Sequence, residues 1–180
     1  RSGLKNLSIE RVQTEIMKLL MAERPEKALN LMVRDGIFKT LYNGLVDLKG
    51  MTKLLEMERI LNLSSHALRR LFAVFYSLAI KRPTFYESHF RFSYQKKLFL
   101  ETMMKNIPAS DKRWVLYKQG PHFFEDWSLL RYALHKNDAE EDLTRLKDDL
   151  KWATLHSSLK FPLKGKDLLQ QGVLAGPKIG

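Results

Sequence analysis

Residues 64–80, "SSHALRRLFAVFYSLAI", form the most apolar helix that the sequence predicts. From Leu71 to Ile80, apolar side chains cover most of the helix circumference, and a helix of this kind has to be buried on nearly all sides. Ser64 or Ser65 is expected to begin it, because a serine hydroxyl accepts a hydrogen bond from the free amides of the first turn. We therefore predict that this helix lies at the centre of the fold.

Further helices are predicted on both sides of this segment. They are expected from Ser8 to about Ala22, from Pro25 to a stop at Gly36, at 50–61, from Pro83 through 89–106, from Pro108, Ser110 and Asp111 to a break at Gly120-Pro121, at 123–135 and at 138–156. No segment shows a sustained alternation of apolar and polar residues with β-branched enrichment. We therefore predict an all-α protein, a bundle of roughly eight helices followed by a small helical tail.

The composition excludes several classes of protein. The 180 residues contain no cysteine, which excludes disulfides, thiolate nucleophiles and thiolate metal sites. No stretch approaches the roughly 18 apolar residues of a membrane span, and no signal-peptide pattern is present. We therefore expect a cytoplasmic protein without a membrane partner.

Positive charge is concentrated in the middle third of the chain. The sequence has 31 basic and 20 acidic side chains, a formal net charge of +11. Residues 61–120 alone carry 11 basic and 3 acidic side chains, whereas 121–180 carry 9 of each. An uncompensated local excess of this size favours a polyanionic partner, because self-repulsion is otherwise unfavourable.

The basic residues of this region recur as adjacent pairs with aromatic residues between them. The pairs are Arg69-Arg70, Lys81-Arg82, Lys96-Lys97 and Lys112-Arg113, and the aromatic residues are Phe85, Tyr86, Phe90, Phe92 and Tyr94. We predict that the pairs contact RNA phosphates, and the alternative is a solvated surface without a ligand. The rings are predicted to be buried in the core rather than to stack on bases.

The last twenty residues, "FPLKGKDLLQQGVLAGPKIG", predict a second phosphate contact. Gly172 and the Gly176-Pro177 turn separate two short helices, and the free amides at the start of a helix bind phosphate well. Lys164, Lys166 and Lys178 are positioned to assist. The alternative is a simple helix connection.

Catalytic and metal-binding patterns are missing from the sequence. The five histidines form no metal-ligand spacing, and His122 with Asp126 is interpreted as a surface pair. Glu56 and Glu58 point about 200° apart on a helix, so they cannot chelate one ion. The acidic run 138–149 is interpreted as a solvated helix face with partners such as Asp142 and Lys147. We therefore predict no catalytic residue and no metal site.

Two segments resemble a known enzyme family. "LSIERVQTEIMKLL" followed by "ERPEKALNLMVRDGIF" resembles the RNA-binding neck of the bacterial class II tRNA nucleotidyltransferase and poly(A) polymerase family, and the last twenty residues are similar to the tail of the same family. The neck match is carried by Ser8, Glu10, Arg11, Glu15, Lys18, Leu19 and Gly36. The resemblance implies the end of a neck at 1–60, a helical body at 61–160 and the start of a tail at 161–180.

The resemblance also implies a function. It implies an RNA-binding region of an enzyme that adds C and A to tRNA 3′ ends, with tRNA or another RNA as partner. The Mg²⁺ ion and CTP or ATP would be held by a catalytic head of the same chain, expected before Arg1. This piece alone is then expected to be inactive, and Ser8 to Leu20 would brace the nucleotide site without touching the nucleotide.

Three alternatives remain at the level of sequence. The parent enzyme could be a poly(A) polymerase acting on RNA 3′ ends. The chain could instead be a helical protein-interaction module whose basic surface is incidental. An independent hydrolase is the third, although it would need a His-Asp or similar ligand set that the sequence does not show.

Overall fold

The computed structural model describes residues 7–107, 111–134 and 139–157, together with position 169. In these residues the chain forms helices and no strands, which confirms the predicted all-α class. The helices are α1 (Ile9–Met21), α2 (Glu26–Arg34), α3 (Ile37–Tyr42), α4 (Lys49–Ile60), α5 (Ala67–Ala79), α6 (Phe85–His89), α7 (Tyr94–Asn106), α8 (Lys112–Leu134) and α9 (Ala139–His156).

Helix α5 lies at the centre of the bundle, as its apolar circumference predicts. It packs against α1, α4, α6, α7 and α8, and ten of its 13 residues are buried. The expected serine cap is wrong, because the residue that precedes the helix is His66 and no side chain caps it. The backbone of His66 is extended, and its ring is engaged with another helix.

The first two helices begin and end close to the predicted positions. The Ser8 hydroxyl accepts a hydrogen bond from the Arg11 amide at 3.3 Å and so caps α1. Pro25 directly precedes α2. Gly36 follows its end with φ 67°, a left-handed conformation that glycine adopts without strain. These local signals are strong because they act on the backbone at a helix end, where free amides and carbonyls need partners and the chain has to change direction.

The single helix predicted after Pro83 is wrong, because the chain forms α6 and α7 with an extended segment between them. Phe90 and Phe92 lie on this segment and are 1% and 7% exposed. Their rings stack with centroids 5.0 Å apart, and Phe90 has an extended backbone. Alternate residues of an extended chain point the same way, so the break directs both rings into the core.

Most of the aromatic residues between the basic pairs are buried, as predicted. Phe85 and Tyr86 join Phe90 and Phe92 in the core. Tyr94 is the exception at 78% exposed, because it begins α7 on the outer side. Four of these five rings therefore contribute to packing.

Helix α8 contains the break that Gly120 and Pro121 predict. Gly120 has φ 81° and ψ 173°, so residues 112–119 and 121–134 are two helical halves. Asp111 opens the first half by accepting hydrogen bonds from the amides of Arg113 and Trp114. Pro108 and Ser110 lie outside the described residues.

The interpretation of the acidic run as a solvated face is wrong for two of its residues. Asp142 is fully buried and accepts a hydrogen bond from Lys53 of α4. Asp149 is 6% exposed and pairs with Lys112 at the start of α8. Buried carboxylates require such partners, and here they attach α9 to two other helices.

None of the helices in the described ranges is both long and apolar enough to cross a bilayer. The predicted tail at 161–180, with its phosphate-binding turn, lies outside the described residues apart from Leu169. The division into neck, body and tail stays a prediction.

Candidate nucleic-acid interface

The pair Arg69-Arg70 lies in the interior, although the sequence predicts phosphate contacts for both residues. Arg69 is 2% exposed and Arg70 is 5% exposed. The Arg69 guanidinium donates to Glu58 at 2.9 Å, to Asp126 at 2.6 Å and to the Ser64 carbonyl at 2.7 Å. We call Glu58, Arg69, Arg70 and Asp126 the buried charge cluster.

Arg70 completes this cluster and fixes the end of α1. It donates to Glu58 at 2.8 Å and to the carbonyls of Leu20 and Ala22 at 2.6 and 2.8 Å. The last carbonyls of a helix lack partners within the helix, so Arg70 satisfies two of them. Both arginines are thus occupied by protein groups and are excluded from solvent, and the predicted phosphate contacts do not fit their positions.

Asp126 pairs with a histidine that the sequence did not indicate. His66 Nδ1 lies 2.7 Å from Asp126 Oδ2, with the imidazole 42% exposed. His122, one turn before Asp126, is exposed. Sixty positions separate His66 from Asp126, so no spacing rule within one helix could have paired them.

Arg82 and Lys112 are partly committed to the fold. Arg82 donates to the carbonyls of Tyr42 and Asn43 at 3.0 and 2.6 Å and so holds the end of α3. Lys112 Nζ donates to Asp149 at 2.7 Å and lies 5.0 Å from the centroid of the Trp152 ring. Their sequence neighbours, Lys81 and Arg113, are exposed and form no ion pair within the described residues.

Lys96 lines an open groove between α1 and the start of α7. We call it the α1–α7 groove, and it has a volume of about 640 Å³. Its lining includes Gln13, Thr14, Met17, Lys18 and Met21 of α1 and Lys96 of α7. Gln13 also accepts a hydrogen bond from the Arg91 amide at 2.6 Å, which fixes the segment before α7 against α1.

The electrostatics of this groove favour an anion. Lys96 forms no ion pair within the described ranges, and its ammonium lies 6.0 Å from the centroid of the Phe92 ring. Lys18 pairs with Glu15 at 3.1 Å, but both side chains are about two-thirds exposed. An exposed pair of this kind contributes about 0–1 kcal/mol, so a phosphate can compete for Lys18.

Lys97, the neighbour of Lys96, lines a different cavity. This cavity of about 260 Å³ lies beside α6 and is also lined by Tyr86, Glu87, Leu100 and Glu101. This environment is mixed in charge, in contrast to the α1–α7 groove. Lys164, Lys166 and Lys178 lie outside the described residues.

The residues that carry the neck resemblance have mainly local roles. Glu10 lies in the first turn of α1, where a negative charge stabilises the helix dipole. Arg11 is exposed, Glu15 pairs with Lys18, and Ser8 and Gly36 define helix ends. In the described part of the chain, no three His, Asp or Glu side chains come close enough to hold a metal ion.

Comparison with known families agrees with the neck resemblance. Residues 1–48 match the family model described as the probable RNA and SrmB-binding site of polymerase A. No curated protein and no solved structure matches the chain. The match covers α1, α2, α3 and the loop that follows them, so the first 48 residues are similar to the RNA-binding region of the poly(A) polymerase type.

Proposed function

We propose that this chain is the RNA-binding helical region of a template-independent nucleotidyltransferase and that RNA backbone lies in the α1–α7 groove. One observation carries the proposal. Lys18, from the segment that matches the RNA-binding family model, and Lys96, from a predicted basic pair, line the same open groove. Two separate features of the sequence, the family match and a basic pair, therefore each supply a lysine to the same groove.

The physical basis of binding is release of counterions from RNA. Each lysine that neutralises a phosphate releases condensed cations, so affinity falls with salt concentration. Lys96 is available for this because it has no ion pair in the described ranges. Met17 and Met21 also line the groove and offer apolar surface against which sugars and bases can pack. Lys81 and Arg113 are further exposed cations.

For the parent enzyme we propose addition of C and A to tRNA 3′ ends. The helical region would hold tRNA by phosphate charge and shape, which is how folded RNA is generally recognised. Mg²⁺ with CTP or ATP would be bound by the catalytic head. Incubation of this chain with trimmed tRNA, nucleotides and Mg²⁺ should give no extension, and clear extension would refute the assignment of catalysis to the head.

A poly(A) polymerase is the second candidate for the parent enzyme. The description of the matching family model, which names polymerase A, favours it. A competition experiment separates the two. If labelled tRNA is displaced by unlabelled tRNA at much lower concentration than by unstructured RNA of equal length, the tRNA enzyme is favoured, and the reverse order favours the poly(A) polymerase.

Direct binding tests the proposal as a whole. Gel-shift titration with tRNA at several salt concentrations should give an affinity that falls steeply as salt rises. Failure to bind tRNA or linear RNA at low salt would overturn the proposal. A protein-interaction module is the remaining alternative and predicts that outcome.

A further inference from the structure

The first half of α8 presents two large aromatic side chains to solvent. Trp114 is 54% exposed and Tyr117 is 42% exposed. Their ring centroids are 6.0 Å apart with the planes at 39°. By contrast, Trp127 in the second half of the same helix is fully buried. Neighbouring exposed rings of this size indicate a binding surface, since burial would otherwise be favourable.

Two cations flank these rings. Lys118 Nζ lies 4.9 Å from the centroid of the Trp114 ring and 5.9 Å from that of Tyr117. Arg113 is exposed beside them. Neither cation forms an ion pair within the described residues, so the surface is aromatic and positively charged. We call Arg113, Trp114, Tyr117 and Lys118 the α8 platform.

The helix beneath the platform is fixed to the bundle. Val115 and Leu116, on the opposite side of the same turns, are 0% and 4% exposed. Asp111 caps the start of the helix, and Lys112 binds Asp149 of α9. The rings therefore stand on a rigid element, and little order has to be gained when a ligand binds.

We propose that the α8 platform binds unpaired bases of single-stranded RNA. Bases would stack on Trp114 and Tyr117, and Arg113 and Lys118 would contact the adjoining phosphates, a combination typical of single-strand binding. The inference rests on the proposed RNA-binding function and adds a second, distinct contact to the α1–α7 groove. The two cations, which form no ion pair in the part of the chain that the structure describes, favour RNA over an apolar protein surface as the occupant.

The test uses the full chain and a fluorescently labelled, unstructured 12-nucleotide RNA in an anisotropy titration. Stacking on one aromatic side chain contributes about 1–3 kcal/mol, so Trp114→Ala should weaken binding by about fivefold or more. Trp114→Phe keeps an aromatic face and should lose less. Tyr94→Ala removes a ring that is 78% exposed elsewhere and should change affinity less than twofold.

Intrinsic tryptophan fluorescence provides a second readout, which reports contact of RNA with Trp114 directly and does not depend on a loss of affinity. The unlabelled oligomer should quench tryptophan emission of the unmodified chain, and Trp114→Phe should abolish that quenching. Trp127 is buried and Trp152 is in contact with Phe124 and His156, so neither should respond. Circular dichroism confirms that each variant is folded.

The outcomes distinguish this inference from the proposed function. If the unmodified chain binds the oligomer and Trp114→Ala binds equally well, the α8 platform is overturned while RNA binding stands. An equal loss of affinity for the oligomer and for a fully paired, blunt-ended RNA duplex would also overturn it, because a duplex offers no unpaired bases along its length. Absence of any RNA binding would overturn both.

Discussion

Arg69-Arg70 and Lys96-Lys97 occupy the same place in their helices, the third and fourth positions of α5 and α7, yet they have opposite environments. The arginines are buried against Glu58 and backbone carbonyls, whereas Lys96 faces an open groove. Their positions within the two helices are equivalent and do not explain the difference in burial. It arises because α5 is apolar around its circumference and lies centrally, where a carboxylate of α4 meets both arginines.

A basic pair in sequence therefore has two possible roles. A pair on a central helix stabilises the bundle through buried charges, and a pair on a peripheral helix can bind an anion. The pairs Lys81-Arg82 and Lys112-Arg113 are intermediate, because one residue of each pair is bound to the protein and the other is exposed.

The largest effect is expected for Glu58→Ala. This substitution removes the carboxylate that both arginines share and leaves two buried cations short of a partner. Loss of one member of a buried ion pair costs about 3–5 kcal/mol, a large part of the stability of an ordinary domain. Urea denaturation of Glu56→Ala, which removes an exposed carboxylate from the same helix, should show little change. Equal stability of the two variants would contradict the role of the cluster.

Within the Lys81-Arg82 pair, Arg82→Ala should be the more destabilising substitution. It removes two hydrogen bonds that a charged group makes to the carbonyls of Tyr42 and Asn43, and the expected cost is about 1.5–3 kcal/mol. Lys81→Ala, at the exposed neighbour, should change the free energy of unfolding by less than about 0.5 kcal/mol. Reversal of this order in thermal or urea denaturation would contradict the assigned contacts.

A smaller loss is expected for Lys112→Ala. Asp149 would keep the hydroxyl of Tyr132, which donates to it at 2.8 Å, but would lose its cation. Partial loss of the partners of a buried carboxylate should cost about 1–2 kcal/mol. Arg113→Ala is the matched control, and the two variants should differ by this amount in urea denaturation.

Alkaline pH should weaken the hydrogen bond that Tyr132 donates to Asp149. Burial raises the pKa of the Tyr132 phenol to about 12, with further contributions from its hydrogen bond to Asp149 and from that carboxylate's charge. Below the unfolded pKa of about 10, the phenol is protonated in both states and its stabilising contribution is fully present. As pH rises from 10 towards 12, the unfolded chain loses the proton first, so the free energy of unfolding falls.

Urea denaturation at pH 9 and pH 11 checks this expectation. The stability difference between the unmodified chain and Tyr132→Phe should shrink at the higher pH. Tyr94→Phe controls for loss of one exposed hydroxyl. A difference that stays constant or grows between the two pH values would show that the Tyr132 phenol does not titrate as described.

The sequence predicted those features that depend on neighbouring residues. Ser8 and Gly36 define helix ends through local backbone chemistry, and the apolar circumference of α5 requires a central position. The sequence did not predict the pairing of Asp126 with His66 or of Asp142 with Lys53, because these residues are far apart in the chain and meet only through packing. The central position of α5 is predicted, but Glu58, the carboxylate that meets both of its arginines, lies on another helix and reaches them only through packing.

In the candidate site, too, contacts between residues far apart in the chain could not be predicted from the sequence. The local charge excess predicts phosphate contacts within residues 61–120, whereas Lys18 belongs only to the neck resemblance and is not among the predicted phosphate contacts. Its proximity to Lys96 depends on how α1 packs beside α7. Trp114 and Tyr117 are three positions apart and precede Lys118, a local pattern that could have been recognised from the sequence.

Phosphate binding in the α1–α7 groove is tested most directly by the salt dependence of tRNA affinity for Lys18→Ala/Lys96→Ala, compared with Lys147→Ala/Lys151→Ala. Both variants lose two exposed lysines, the first in the α1–α7 groove and the second on α9. If the groove binds two phosphates, the first variant should reduce the slope of log affinity against log salt by about 1.4–1.8, and the second should retain the slope of the unmodified chain. Equal slopes for all three proteins would contradict phosphate binding in this groove.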